Sequence, residues 1–101
     1  MLNFFKSNKT DYKALIEEGA TIIDVRSKGE YSGGHIKGSL NIPLNVLSEQ
    51  MGKIKGKDKP IIVCCASGAR SASARNMMLE AGFERVYNAG PWTSLKSYVK
   101  N

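Results

Sequence analysis

A short apolar run, Ile61-Ile62-Val63-Cys64, feeds directly into Cys65-Ala66-Ser67-Gly68-Ala69-Arg70, and a segment of helical spacing follows. The β-branched residues of the run favour an extended strand. The chain therefore delivers a cysteine from a strand end onto a tight loop, with a helix beginning where the loop finishes. A thiol placed there lies among backbone N–H groups at the positive end of a helix. The pattern reads as an anion-binding, thiolate-stabilising loop with Cys65 as its nucleophile.

The rest of the chain supplies a scaffold for such a loop. Tyr12, Leu15 and Ile16 have the spacing of a helix packed on one face, with Thr10 as N-cap, Asp11 in the first turn and Gly19 at the C-terminus. Thr21 to Val25 reads as a buried strand with a polar tip at Asp24 and Arg26. Glu30 to Ser32 makes one helical turn, broken by Gly33-Gly34, and Ser39 to Ile42 is a brief strand stopped by Pro43. Leu44, Leu47, Met51 and Ile54 form a helical stripe. Past the cysteine loop, Ala74, Met77, Met78 and Ala81 keep helical spacing up to Gly82. Arg85 to Asn88 is a last strand, Ala89-Gly90-Pro91 a turn, and Trp92, Leu95, Tyr98 and Val99 a terminal helix. Alternating helices and strands with short connections imply one α/β domain over residues 1–101, its core about 10–98. The expected architecture is a mostly parallel central sheet with helices on both faces.

Composition excludes several alternatives. At 101 residues, 42% hydrophobic and 24% charged, the chain has the balance of a folded globular domain. The patch in Met1 to Lys6 is shorter than a signal-peptide core, and no stretch approaches membrane-spanning length, so a cytoplasmic protein without a membrane partner is expected. Two adjacent cysteines make no disulfide framework, and with a single histidine they make a poor zinc set; no metal is expected. The net charge of +6 rests largely on Lys53, Lys55, Lys57 and Lys59, interleaved with Gly52, Gly56 and Pro60 as a solvated connector. No arginine-rich helix or aromatic–basic alternation points to nucleic acid.

The loop carries the chemistry. A free thiol has a pKa of about 8.5 and is mostly protonated at neutral pH. A helix terminus contributes up to about 2 kcal/mol in a buried site, so it lowers that value by roughly one unit. Inward-facing N–H groups from Ala66 to Arg70 add hydrogen bonds. Gly68 permits the curl, Ser67 can donate another hydrogen bond, and Arg70 can pair with a carboxylate or attract an anion.

Asp24-Val25-Arg26, Glu30-Tyr31, Gly34-His35-Ile36, Asn41-Ile42-Pro43, Cys65 to Ser71 and Ala81-Gly82-Phe83 occur in this order. In that order and spacing the chain resembles rhodanese-like domains over roughly residues 10 to 98. The resemblance implies a single-domain sulfurtransferase that forms a persulfide on Cys65. The sulfur would come from thiosulfate, a polysulfide or a protein persulfide, and would pass to cyanide, a small thiol or a protein thiol. No cofactor is implied, since the cysteine carries the group. The resemblance also separates sulfur from phosphate chemistry. Six residues from cysteine to the last loop member suit sulfur, whereas seven, as in the related dual-specificity phosphatases and arsenate reductases, suit phosphate or arsenate. Cys65 to Arg70 counts six.

Three positions depart from the common family pattern. Cys64 replaces a frequent tyrosine and is expected to face the core, opposite to Cys65. Ala66 stands where many relatives carry a basic residue, which weakens the case for thiosulfate and strengthens that for a persulfide or polysulfide donor. Ala89-Gly90 replaces a commoner glycine pair. Asp24, Arg26 and Glu30 are expected to form an ion-pair and hydrogen-bond network near the loop, with Arg26 reaching substrate. His35 is expected in a structural turn. The alternative to an enzyme is a non-turnover sulfur carrier or a protein-interaction or redox module using the same loop.

Overall fold

The computed structural model describes residues 9–100; the apolar patch in Met1 to Lys6 lies outside the described residues. Strand β3 (Ile61–Cys65) is the spine of the fold, and every residue in it is buried. On one side it pairs with β1 (Thr21–Asp24), beyond which lies β2 (Leu40–Asn41), and on the other with β4 (Val86–Pro91). The order is β2-β1-β3-β4, and all three pairings are parallel. Parallel neighbours need crossovers, and the alternating helices provide them.

Alternation along β3 divides the core in two. Ile61, Val63 and Cys65 pack with Ile23, Val25, Leu47, Ala74, Met78, Phe83 and Val86 on one face of the sheet. Ile62 and Cys64 pack with Leu15, Ile22, Ile36 and Leu95 on the other. Helix α1 (Tyr12–Glu17) covers the second face, and α3 (Leu47–Gln50) and α4 (Ala69–Glu80) cover the first. Helix α2 (Lys28–Ser32) follows the carboxyl end of β1. The expected sheet with helices on both faces is the observed one, and Cys64 and Cys65 do point to opposite sides.

Several boundaries differ from the sequence reading. Asp11, not Thr10, caps α1: its carboxylate accepts the Ala14 N–H at 3.0 Å. A charged acceptor is the stronger cap of the two. The stripe from Leu44 to Ile54 is not one helix but a 3-10 turn (Leu44–Val46), the single turn α3 and a second 3-10 turn (Met51–Lys53). Spacings of three and four suit either helix type, so the apolar pattern alone does not separate them. Strand β4 continues past Asn88 to Pro91 through a bulge: Val63 pairs with Asn88 but Cys64 with Gly90, leaving Ala89 extra. The expected terminal helix shrinks to a 3-10 turn, Trp92–Leu95. Leu95 is its only fully buried anchor and Tyr98 is exposed, too little packing to hold a longer helix. No helix among the described residues is long and apolar enough to cross a membrane.

Candidate active site

Strand β3 ends at Cys65, and α4 begins four residues later at Ala69, inside the six-residue run. Gly68 makes that junction possible: its φ of +110° is a left-handed conformation that a side chain resists. Gly68, at the N-cap, has no side chain to cap α4. The Cys65 sulfur takes that role, accepting the Gly68 N–H at 2.9 Å and the Ser71 N–H at 3.4 Å. The Ser71 hydroxyl lies 3.3 Å from Sγ. Cys65 itself has no exposed surface, while Ala66, Ser67 and Ala69 around it are exposed. Burial pushes the Cys65 thiol up, but the Ser71 hydroxyl and the N–H groups of Ser71, Gly68 and Ser67 outweigh it, and the net shift is downward. Ser67 thus acts through its backbone N–H.

Ser71 lies one residue beyond the run singled out in the sequence, yet its hydroxyl is within hydrogen-bond reach of the sulfur. Its hydroxyl is 2.6 Å from Asn88 Oδ1 and 3.2 Å from Gly68 O. The β4 bulge sets up this arrangement. Asn88 pairs with Val63, so its side chain falls on the α4 side of the sheet. Gly90, at φ +76°, turns its N–H back onto Asn88 Oδ1 at 2.8 Å. Asn88 carried no local signal except that it is a polar residue near the carboxyl end of a strand.

Carboxylates hold both arginines of the site. Arg70, in the first turn of α4, makes a two-pronged ion pair with Glu30, at 2.8 and 2.9 Å. Glu30 also closes a capping box on α2, accepting the Ser27 N–H at 2.9 Å while Ser27 Oγ accepts the Glu30 N–H. Arg70 first, then the Ser27 N–H, holds the Glu30 carboxyl down at about 2. Arg26 is buried, and its fork grips Asp24 at 2.7 and 2.9 Å. Its remaining donors go to the carbonyls of Gly34 at 2.7 Å and Glu30 at 3.3 Å. Its face lies 4.7 Å from the Trp92 ring. The expected network therefore exists, with Arg26 engaged within the scaffold.

His35 is exposed; its ring stacks on Tyr31 at 3.7 Å and its Nδ1 lies 2.8 Å from Tyr31 O. Cys64 is fully buried and free, and burial, reinforced by the Asp24 charge, pushes its thiol up to about 12. Beside Arg70, a shallow depression of about 300 Å³ is walled by Val25, Ser27, Pro43, Leu44 and Asn45. Among the described residues no cluster of three or more His, Cys, Asp or Glu side chains could hold a metal ion.

Comparison with known proteins gives the chain its relatives. The Bacillus subtilis protein YqhL is 39% identical over 69 residues, which cover 68% of this chain and 54% of YqhL. An Allochromatium vinosum protein named sulfurtransferase is 30% identical over 88 residues, 87% of this chain and 81% of that protein. A solved structure described as a rhodanese with anions from E. coli superposes with a TM-score of 0.72 at 30% identity, covering 77% of this chain and 93% of that one. The chain spans about half the length of several curated relatives it matches, YqhL among them. The family model of the rhodanese-like domain matches residues 8–90, and the chain belongs to that family.

Proposed function

We propose that this protein is a sulfurtransferase that carries a sulfane sulfur as a persulfide on Cys65. The observation that carries the reading is the Cys65 sulfur held by the Gly68 and Ser71 N–H groups in a six-residue cysteine-to-arginine loop. The Cys65 thiolate attacks the outer sulfur of a donor persulfide, R–S–S⁻. The new Cys65 S–S bond forms as the donor S–S bond breaks, and R–S⁻ departs. A thiolate or cyanide then attacks the outer sulfur of the enzyme persulfide and releases the Cys65 thiolate. Both steps are displacements at sulfur, so the loop's work is to stabilise the negative charge on either form.

The charges around the loop favour a persulfide over thiosulfate as donor. Arg70 is matched by Glu30, Arg26 by Asp24, and Ala66 adds no cation, so a dianion meets little net positive charge. The depression walled by Val25, Pro43 and Leu44 offers apolar surface to the carbon skeleton of an alkyl or protein persulfide. No metal or organic cofactor enters the proposed cycle, and neither a nucleic-acid nor a membrane partner is part of it.

Incubation with thiosulfate, a polysulfide and an alkyl persulfide, followed by mass spectrometry, tests the reading. A gain of about 32 Da on Cys65, one sulfur atom, supports it, and Cys65→Ser should abolish both the adduct and transfer. Equal losses in Cys64→Ser and Cys65→Ser, or turnover of an aryl phosphate, would overturn it. Stoichiometric loading with negligible turnover on small acceptors would identify the carrier form of the same chemistry.

A further inference from the structure

The Ser71 hydroxyl has one proton and three acceptors within reach: Asn88 Oδ1 at 2.6 Å, Gly68 O at 3.2 Å and Cys65 Sγ at 3.3 Å. The orientation of the Asn88 amide is not free. The Gly90 N–H can only donate, so the atom facing it at 2.8 Å is the amide oxygen, and the Nδ2 side faces Gly68 O at 3.4 Å. Because Oδ1 can only accept, the short Ser71 contact carries the serine proton toward Asn88. The serine oxygen then presents a lone pair to sulfur, which suits a Cys65 thiol donating S–H to Oγ.

A thiolate reverses the demand. It needs the hydroxyl proton turned toward Sγ, and that turn leaves two oxygens 2.6 Å apart with no proton between them. We propose that Asn88 and the Cys65 thiolate compete for the single Ser71 proton, so that Asn88 on β4 sets how much of Cys65 stands ionised. When Cys65 ionises, its proton leaves to solvent and the Ser71 O–H swings from Asn88 to sulfur; when it is reprotonated, the swing reverses. Ser71 touches the reacting atom, while Asn88 is a positioning residue that acts through it.

Other titratable groups lie near the loop. Arg70 follows on the same loop, paired with Glu30 from α2. Asp24 and Arg26 lie at the end of β1, and Cys64 precedes it on β3. From β4 comes only the neutral Asn88 amide, since Tyr87 packs in the opposite cluster.

The proposal rests on Cys65 being the nucleophile, but it is tested without any sulfur donor. The pH dependence of iodoacetamide alkylation, mapped to Cys65 by mass spectrometry, reads ionisation alone. Failure here leaves sulfur transfer standing, and failure of sulfur transfer leaves this result readable. Asn88→Ala should free the hydroxyl for the thiolate, lower the midpoint and speed alkylation below it by roughly three- to tenfold. Asn88→Asp keeps the acceptor and strengthens it, so its midpoint should rise. In a Ser71→Ala background, Asn88→Ala should have no effect. A slower or unchanged Asn88→Ala, a faster Asn88→Asp, or an undiminished Asn88→Ala effect without Ser71 would each overturn the competition. General loosening of the loop would move both single variants in the same direction, so opposite signs exclude it.

Discussion

Arg70 and Glu30 stand 40 residues apart in sequence and meet fork to carboxylate at 2.8 and 2.9 Å. One carboxylate thereby joins two jobs, capping α2 and clamping the first turn of α4 beside the cysteine loop. Because Arg70 and Ser27 hold the Glu30 carboxyl at about 2, below its ordinary 4.5, the folded state favours the charged form. Its contribution to stability is full above the unfolded value and disappears as pH falls through the folded one. The melting temperature of wild type should therefore exceed that of Glu30→Gln at neutral pH, with the gap narrowing between 4.5 and about 2. A gap that stays constant over this range would show that the carboxylate charge is not what stabilises the clamp.

Asp24 and Arg26 form a different kind of pair, since both are buried. Removing one partner leaves the other charge desolvated and unmatched, which costs about 3–5 kcal/mol. That is a large fraction of the roughly 5–15 kcal/mol that holds a small domain together. Asp24→Asn and Arg26→Met should each lower the urea midpoint strongly, and the double variant should lose less than the sum of the two. Trp92, the one tryptophan in the chain, lies against Arg26 and gives a fluorescence signal for the measurement. Additive losses would mean that the two side chains do not stabilise each other.

The scaffold of this site was legible from local pattern, and its closing contacts were not. Ile61 to Cys65, the glycine at 68 and the helix after it follow from β-branching, backbone freedom and periodicity, all of which act over a few residues. The α4 helix takes in the last two residues of the run, so Arg70 is helical and the next side chain, Ser71, turns back onto the sulfur. Ser71 closes the quoted motif, but nothing in the spacing marks its hydroxyl as a partner of the sulfur. Asn88 was missed for another reason: its place beside Ser71 depends on β3–β4 register and on a bulge at Ala89, which no local spacing encodes. The terminal segment fails in the opposite sense. Trp92, Leu95 and Val99 have helical spacing and pack on one core cluster, but only Leu95 is fully buried, and the segment forms a single 3-10 turn.

Cys64 and Cys65 should behave as two unrelated residues. Cys64 packs among Leu15, Ile62 and Leu95, and burial pushes its thiol up to about 12, so at neutral pH it is neither ionised nor accessible. Iodoacetamide should label only Cys65 in the folded protein. Cys64→Ser places a hydroxyl in an apolar cluster, costing about 1–3 kcal/mol of stability, with Cys65 alkylation unchanged. Urea denaturation and mass mapping measure the two effects, and label on folded Cys64 would contradict its assignment to the core.

Gly68→Ala should damage reactivity more than stability. At φ +110° a methyl group forces backbone strain of about 1–3 kcal/mol, and its Cβ would lie 3.5 Å from the Gly90 Cα, an ordinary contact. The chain can relieve the strain only by rotating Gly68 out of this conformation, and that moves the N–H that donates to Cys65 at 2.9 Å. Losing one hydrogen bond to a charged acceptor is worth about 1.5–3 kcal/mol, or roughly tenfold or more in thiolate at a fixed pH below the midpoint. The alkylation midpoint of Cys65 should shift upward while the melting temperature falls by only a few degrees. If the midpoint stayed put, the sulfur would be held by Ser71 and the Ser67 N–H without Gly68, and the left-handed glycine would serve only to start the helix.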